Sequence, residues 1–172
     1  MNIVQIYQLQ PNCVLFNMKI KLITVGQKPP QWASDACDIY QKRIQSPWQL
    51  TLCQVPLAKR GKNTSKNQAM QQEALTIQPH LEKQDWIIVL DAKGRSLSTE
   101  QWADQLLQWQ RDYQKIALVI GGPDGLDPQI IQQAHYKLSL SAMTLPHPMA
   151  KVVLLEQLYR AQALNKGHPY HK

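Results

Sequence analysis

Residues 115–128, "KIALVIGGPDGLDP", join a continuous apolar run to a glycine-rich turn and then to a helix start. The run from Ile116 to Ile120 contains no polar residue, which is typical of a strand buried on both faces of a parallel sheet. Asp127 and Pro128 suit the cap and the first position of a helix. A buried strand that leads through a short turn into a helix predicts an α/β fold.

The same alternation of strand and helix extends along the chain in both directions. Strand patterns cover 19–26, 48–55, 85–91 and 137–141, and helical patterns cover 29–45, 68–78, 98–113 and 148–166. Gln101 follows Ser98 at the spacing of a capping box. We therefore predict one α/β domain with a mainly parallel five-stranded sheet flanked by helices.

Two helical patterns predict particular apolar positions. The first helix has its apolar residues near helical spacing at Trp32, Ala36, Ile39, Tyr40 and Ile44. The inward face of the last helix is predicted to consist of Val152, Leu155, Leu158 or Tyr159, and Gln162.

Composition limits the classes of protein to which the chain can belong. Its 172 residues suffice for one domain, and no apolar stretch approaches the roughly 20 residues that span a bilayer. The 19 Lys and Arg residues exceed the 12 Asp and Glu residues, and the net charge of +7 favours a polyanionic partner, nucleic acid before membrane. Cys13, Cys37 and Cys53 are widely spaced, which argues against disulfides or structural zinc and favours the cytoplasm.

Residues 1–17 contain no charged side chain, and the regular pattern begins at Met18. They lack the basic start and the compact apolar run of a secretory signal. We expect a poorly ordered N-terminal extension over 1–17, produced by an upstream start assignment, and a folded domain over 18–172. A genuine extra strand or arm is the alternative.

Two stretches that follow predicted strands are candidates for ligand binding, because ligands of parallel sheets bind at the carboxyl ends of the strands. "GGPDG" (121–125) matches neither the dinucleotide-binding nor the phosphate-loop motif. It fits either an ordinary turn or a loop that passes close to a flat ligand. "LSLSAMTLPHP" (138–148) combines small, hydroxyl and apolar residues, which suit either an adenine ring or a tight buried connection.

Several motifs, in order along the chain, resemble one family. They are "VGQKPPQW" (25–32), "KRGKN" (59–63), "LDAKGRSLS" (90–98), "LVIGGPDGL" (118–126), "LSAMTLPHPMAKVVLLEQLYRA" (140–161) and "HPYHK" (168–172). Together they resemble the ribosomal RNA large subunit methyltransferase H family of the SPOUT superfamily over 18–172. The resemblance implies an α/β-knot fold with a C-terminal trefoil knot, and a homodimer. It also implies methylation of N3 of a pseudouridine in the 23S rRNA of the assembled ribosome, with S-adenosyl-L-methionine as the methyl donor.

The resemblance further implies which positions contact the donor. These are Leu90, Gly121, Leu140, Ser141, Ala142, Met143, Thr144 and Leu145. Because this donor carries a sulfonium and no phosphate, a glycine-rich loop without a phosphate-loop lysine is expected. Leu90 can pack on the adenine, and Gly121 leaves room for the donor against the backbone.

Methyl transfer to N3 requires that nitrogen to lose its proton and to lie in line with the methyl group. The catalytic candidates are His147, Arg160 and Tyr170, which could stabilise the anionic base or accept the proton. We expect the terminal "HPYHK" to complete the active site, that of the partner subunit, with His168 and His171 near RNA phosphates. The alternatives are a solvated tail and an interface ion pair for Arg160.

The segment "LAKRGKNTSKN" (57–67) has no apolar periodicity and is rich in cations. Lys59, Arg60 and Lys62 are predicted to contact RNA phosphates, and a solvated surface loop is the alternative. No metal is expected, because the tail histidines and His147 lack further ligands. Two rival functions fit the same fold: a non-catalytic RNA-binding factor and a methyltransferase of transfer RNA.

Overall fold

The predicted strands form one sheet in which all neighbours are parallel. The structure, a computed structural model, describes residues 17–61 and 64–168. The strands are β1 (Met18–Val25), β2 (Trp48–Val55), β3 (Trp86–Ser96), β4 (Lys115–Ile120) and β5 (Tyr136–Ser139). Their order across the sheet is β2-β1-β4-β3-β5, which confirms the predicted α/β class.

Helices connect the strands at the positions that the caps predict. Within the described ranges they are α1 (Gln31–Arg43), α2 (Lys66–Ile77), α3 (Thr99–Asp112), α4 (Pro128–Gln133) and α5 (His147–Asn165), and a 3₁₀ turn (Gln78–His80) follows α2. The Ser98 hydroxyl accepts from the backbone N–H of Gln101, whose side chain accepts from the backbone N–H of Ser98. Asp127 caps α4, with Pro128 at its first position. Both predicted caps are confirmed. None of the described helices is long and apolar enough to cross a membrane.

Helices cover both faces of the sheet, as predicted. On one face α1, α3 and α5 pack against side chains such as Leu22 and Leu118. On the other face α2 and α4 pack against their neighbours Ile23 and Val119. Successive strand side chains point to opposite faces, so the continuous apolar runs supply both cores. Full burial of one such side chain contributes about 1.5–3 kcal/mol.

The faces of two helices differ from the predicted patterns. Helix α1 buries Ala33 and Cys37, whereas Trp32 and Ile39 are 51% and 50% exposed. Ala33 and Cys37 approach the sheet, whereas Trp32 and Ile39 point away from it, and periodicity could not distinguish the two stripes because both are apolar. In α5 the predicted inward positions Leu155, Leu158 and Gln162 are confirmed as buried, and only Val152 departs from the prediction, because it is half-buried.

Strand β3 continues to Ser96, beyond its predicted end at Asp91. Leu90 and Arg95 both pair with Leu138 of β5, so the four residues between them leave the ladder. The return is tight, because a Cβ at Gly94 would lie 2.7 Å from the carbonyl carbon of Leu138. The excursion therefore keeps the chain after Leu90 directly against β5.

Candidate active site

The positions implied for donor binding lie at the carboxyl ends of three adjacent strands. Leu90 is in β3, Gly121 directly follows β4, and Leu140 directly follows β5. Strand β3 lies between β4 and β5, so the two strand ends flank Leu90. This is the edge at which parallel α/β sheets bind ligands.

A cavity of about 290 Å³ opens beside Leu140. We call it the tryptophan cavity, because Trp102 lines it together with Leu97, Ser139 and Gln157. The indole Nε1 of Trp102 is buried without a hydrogen-bond partner. A buried donor without a partner costs roughly 1–3 kcal/mol, and a ligand acceptor could remove that cost. The lining is about equally polar and apolar, so groups besides the indole could also form hydrogen bonds to a ligand.

The segment 140–145 has no regular secondary structure and is held by its own serines. The Ser139 hydroxyl donates to the backbone oxygen of Ser141 at 3.2 Å, and the Ser141 hydroxyl accepts from the backbone N–H of Met143 at 2.9 Å. Ala142, Met143 and Thr144 are exposed, Met143 at 76%. Because their side chains face solvent, these three residues can contact a ligand in this protomer mainly through their backbone groups.

A second cavity, of about 260 Å³, opens at the carboxyl ends of β1 and β2. We call it the lysine cavity, because Lys151 and His147 of α5 line it. Lys151 is only 8% exposed, and no carboxylate within 17–61 or 64–168 lies at ion-pair distance from it. The Nε2 atom of His147 is buried without a hydrogen-bond partner. The cavity is thus lined by a buried lysine that has no ion pair among the described residues, and by a histidine ring with one unsatisfied nitrogen.

His147 lies against the backbone of two strand ends. A Cβ at Gly26 would lie 3.3 Å from its Cε1 atom. Burial lowers the pKa of His147, the charge of Lys151 lowers it further, and a hydrogen bond to the Gly121 backbone raises it in part. An imidazole with a lowered pKa is neutral near pH 7 and can accept a proton.

The segment implied for donor binding joins the two cavities. Leu140 lines the tryptophan cavity, and His147, seven residues later, lines the lysine cavity. A ligand held along 140–145 would therefore have the lysine cavity at one end.

The glycine-rich stretch after β4 is a tight turn, which confirms that interpretation of "GGPDG". The backbone N–H of Gly125 donates to the Gly122 oxygen at 3.0 Å, and Gly125 has a φ of 92°. A Cβ at Gly121 would lie 2.6 Å from the Gly125 oxygen. The turn itself therefore requires glycine at 121, and close approach of a donor there stays a prediction.

Arg60 is tied to this turn instead of pointing freely into solvent. Its guanidinium contacts Asp124 of the turn at 2.8 Å and the buried carboxylate of Glu73 at 3.3 Å. Hydrogen bonding to Asp124 raises the pKa of Arg60. Lys59 is exposed and remains available to RNA, whereas Lys62 lies outside the described residues. The sequence groups Lys59 and Arg60 together, but in the structure Arg60 is paired with carboxylates and Lys59 is exposed.

The two catalytic candidates among the described residues, His147 and Arg160, do not converge within one chain. Arg160 forms an ion pair with Glu156 at 2.6 Å. It follows His147 by 13 positions in one helix, which corresponds to about 20 Å along the axis. His168 lies at the opposite end of α5, where it is exposed. A site that uses both ends of α5 therefore needs a second protomer.

The C-terminal end of α5 has a defined geometry. The backbone N–H of His168 donates to the Ala163 oxygen at 2.8 Å, and that of Gly167 donates to Leu164 at 2.9 Å. With Gly167 at φ 67°, this is a Schellman motif. Tyr170 and His171, with the rest of the tail, lie outside the described residues, as do residues 1–16.

Sequence reasoning missed three residues of this region. Lys151 carried a usable signal, since it follows His147 by four positions and so shares its helix face. Trp102 was recognised only as a core residue. Glu73, 2% exposed, gave no signal in the sequence, because its partners Arg60 and Gly122 come near it only in the fold.

Comparison with solved structures supports the fold. A probable methyltransferase from Bordetella pertussis has a TM-score of 0.54 at 15% identity, covering 84% of this chain and 96% of that chain. A probable methylase family protein from Haemophilus influenzae has a TM-score of 0.51 at 17% identity, covering 92% of this chain and 71% of that chain. At these identities the similarity concerns the fold alone.

Comparison of sequences is more specific. The ribosomal RNA large subunit methyltransferase H of Francisella tularensis subsp. novicida is 44% identical over 155 residues, covering 90% of this chain and 100% of that protein. The protein of the same name from Acinetobacter baumannii is 44% identical over 158 residues, covering 90% of this chain and 99% of that protein. The sequence model of the family described as "Predicted SPOUT methyltransferase" matches residues 18–171. The strand-end site thus belongs to a chain that is a member of the SPOUT methyltransferase family.

Proposed function

We propose that this protein methylates N3 of a pseudouridine in the 23S rRNA of the assembled ribosome, with S-adenosyl-L-methionine as the donor. The observation that carries the proposal is the 44% identity to a ribosomal RNA large subunit methyltransferase H across that protein's full length. The excess of Lys and Arg over Asp and Glu, which gives a net charge of +7, suits an RNA substrate. The protein acts in the cytoplasm, where ribosomes are assembled.

Residues at the ends of β3, β4 and β5 would hold the donor. The tryptophan cavity would take the adenosyl group, because its lining combines apolar side chains, hydroxyl and amide groups and the unpaired Nε1 of Trp102. Leu90, Gly121 and residues 140–145 would surround the bound molecule. When bound, S-adenosyl-L-methionine supplies an electrophilic methyl group on a sulfonium sulfur. The C-terminal trefoil knot of the family is part of this proposal.

The chain's own groups must remove the N3 proton and align the base. The neutral imidazole of His147 is suited to the first task, because burial keeps its pKa low. Arg160 would contribute from the partner subunit, since it lies about 20 Å along α5 from His147. The tail that follows the Schellman motif at Gly167 would also act across the dimer, with Tyr170 against the base.

A homodimer accounts for the exposed face of α1. Trp32 and Ile39 lie two helical turns apart and are about half exposed. Large apolar side chains that share an exposed stripe often mark an interface. A second copy of the chain over this stripe would also bring one α5 terminus near the other protomer's site. Sedimentation should show a dimer for the wild type and a shift toward monomer for Ile39→Glu.

The decisive experiment supplies labelled methyl donor and intact ribosomes, then maps the modified nucleotide. We expect one methylated pseudouridine in 23S rRNA, and little product with free subunits or transfer RNA. Deletion of Pro169–Lys172 should abolish methylation while donor affinity, measured by calorimetry, stays largely unchanged. The matched control, Lys83→Met at the opposite edge of the sheet, should retain full activity.

Each rival has its own outcome in this experiment. Ribosome binding without measurable donor binding would identify a non-catalytic RNA-binding factor. Methylation of transfer RNA in preference to ribosomes would identify the protein as a methyltransferase of transfer RNA. Full activity after tail deletion would show that the tail is not part of the catalytic site.

A further inference from the structure

We infer that the lysine cavity is the pocket for the target base, and that Lys151 stabilises the imide anion formed when N3 loses its proton. This inference rests on the proposed function, because it concerns where the same reaction occurs. It adds a catalytic residue, Lys151, that the sequence motifs did not indicate. It also makes Lys151 the catalytic neighbour of His147, and makes His147 the group that accepts the proton from N3.

Lys151 is the first reason for this assignment. The residue is only 8% exposed, and none of the described carboxylates forms an ion pair with its ammonium group. Burying a charge without a partner is costly, so a cavity lined by such a lysine suits a ligand that carries or develops negative charge. The nearest ionisable groups are Cys37 on α1, His147 on α5 and Lys28 after β1. Asp38 is an exposed neighbour of Cys37.

The walls of the cavity indicate the shape of that ligand. Four prolines line it, at positions 29, 30, 123 and 148, together with Val25 and Leu57. Flat, apolar walls favour a planar ring over a tetrahedral phosphate, which needs many converging hydrogen-bond donors. Gln54 fixes one wall, since its side chain donates to the backbone oxygens of Gly26 and Gln27 at 3.2 and 2.6 Å. A pyrimidine imide combines a planar ring with one acidic edge.

The position of the cavity agrees with methyl transfer. The segment 140–145 begins at the tryptophan cavity and leads to His147 at the lysine cavity. A donor held along this segment would meet a base in the lysine cavity near Gly121 and His147. Helix α5 also lines both cavities: it contributes Lys151 to the lysine cavity and Gln157 to the tryptophan cavity.

The step balances with groups that are present. The N3–H bond breaks and its proton passes to Nε2 of His147, which is otherwise unpartnered. The electron pair left on N3 forms the bond to the methyl carbon as the carbon–sulfur bond breaks, and the two electrons of the broken bond stay on the sulfur, which becomes a neutral thioether. Lys151 stabilises the negative charge on the ring until the bond has formed. Repulsion between Lys151 and the charged imidazole then favours release of the proton to water.

The test compares Lys151→Met, Lys151→Arg and the control Lys83→Met, with thermal unfolding of each as the check on folding. Single-turnover methylation of intact ribosomes is measured at saturating donor between pH 6.5 and 9.5, and donor affinity by calorimetry. For Lys151→Met we expect a rate about 100-fold lower at pH 7.5, a loss that narrows toward pH 9.5 as N3 ionises without the lysine, and donor affinity within twofold of wild type. Lys151→Arg should recover part of the rate, and Lys83→Met should match wild type.

Other outcomes would overturn the inference. An unchanged rate and pH profile in Lys151→Met would mean that Lys151 does not act on the base. A tenfold loss of donor affinity with a normal rate at saturation would assign the lysine to the donor's carboxylate. A loss that is equal at every pH and disappears at saturating ribosomes would assign it to an RNA phosphate.

A binding measurement separates this inference from the proposed function. Pseudouridine nucleoside at millimolar concentration, with S-adenosylhomocysteine in the donor site, should shift the NMR signals of His147 in the wild type and in Lys83→Met but not in Lys151→Met. No shift in the wild type would overturn the pocket assignment even if ribosomes are methylated. A shift in a protein that methylates no ribosome would refute the proposed function and leave the pocket in place.

Discussion

Replacing Gly121 by alanine should damage both the fold and the donor site. The added methyl group would lie 2.6 Å from the Gly125 oxygen, 2.7 Å from the Gly125 carbonyl carbon and 2.8 Å from Cγ of Leu126. These distances are about 0.6–0.8 Å shorter than ordinary contact. Two of the three atoms belong to backbone that the Gly122–Gly125 hydrogen bond holds in place, so the turn must move as a whole.

The size of the effect follows from overpacking at a rigid site. Inserting one methyl group into such a site costs about 1–3 kcal/mol. Part of that strain will displace the end of β4, where the family resemblance places a donor contact at Gly121. We therefore expect the free energy of unfolding to fall by about 1–3 kcal/mol and the affinity for S-adenosyl-L-methionine to fall at least tenfold.

Gly61→Ala is the matched control. Its added methyl group would lie 3.6 Å from the Thr64 hydroxyl, an ordinary contact, so its free energy of unfolding should change by less than about 0.5 kcal/mol. Urea unfolding followed by tryptophan fluorescence gives the first quantity, and calorimetry gives the second. Equal stability and equal donor affinity in the two variants would refute the steric account of Gly121.

Two further predictions concern the charged groups around the site. Arg60→Ala removes the cation between Glu73 and Asp124, so the free energy of unfolding should fall by about 1–3 kcal/mol and donor affinity should weaken. Lys59→Ala should weaken only ribosome binding. The reverse pattern in the two variants would contradict these roles. Because the folded state binds the His147 proton more weakly than the unfolded chain, wild-type stability should decline as pH falls below about 6.5. His147→Gln should show a smaller decline between pH 7.5 and 5, and equal slopes in urea unfolding would count against a buried, neutral His147.

Local chemistry made much of the fold predictable. The capping box at Ser98 and the Asp127–Pro128 cap depend on residues within three positions of each other, so their spacing predicts them directly. The apolar runs of β3 and β4 predict burial on both faces for the same reason. Packing orientation was less accessible, because α1 carries apolar residues on more than one side and only the folded chain shows Trp32 and Ile39 facing outward.

The candidate site divides in the same way. The sequence by itself determined the α/β class, the family motifs and the strand ends at which Leu90, Gly121 and Leu140 lie, because these depend on residue type and local order. Only the tertiary structure decided that Arg60 belongs to the glycine turn, that Arg160 lies far along α5 from His147, and that Lys151 is buried with no counter-ion in the described part of the chain. Such relations join residues that are distant in the chain or on different faces of one helix, and the energy of a charge depends on what surrounds it in space.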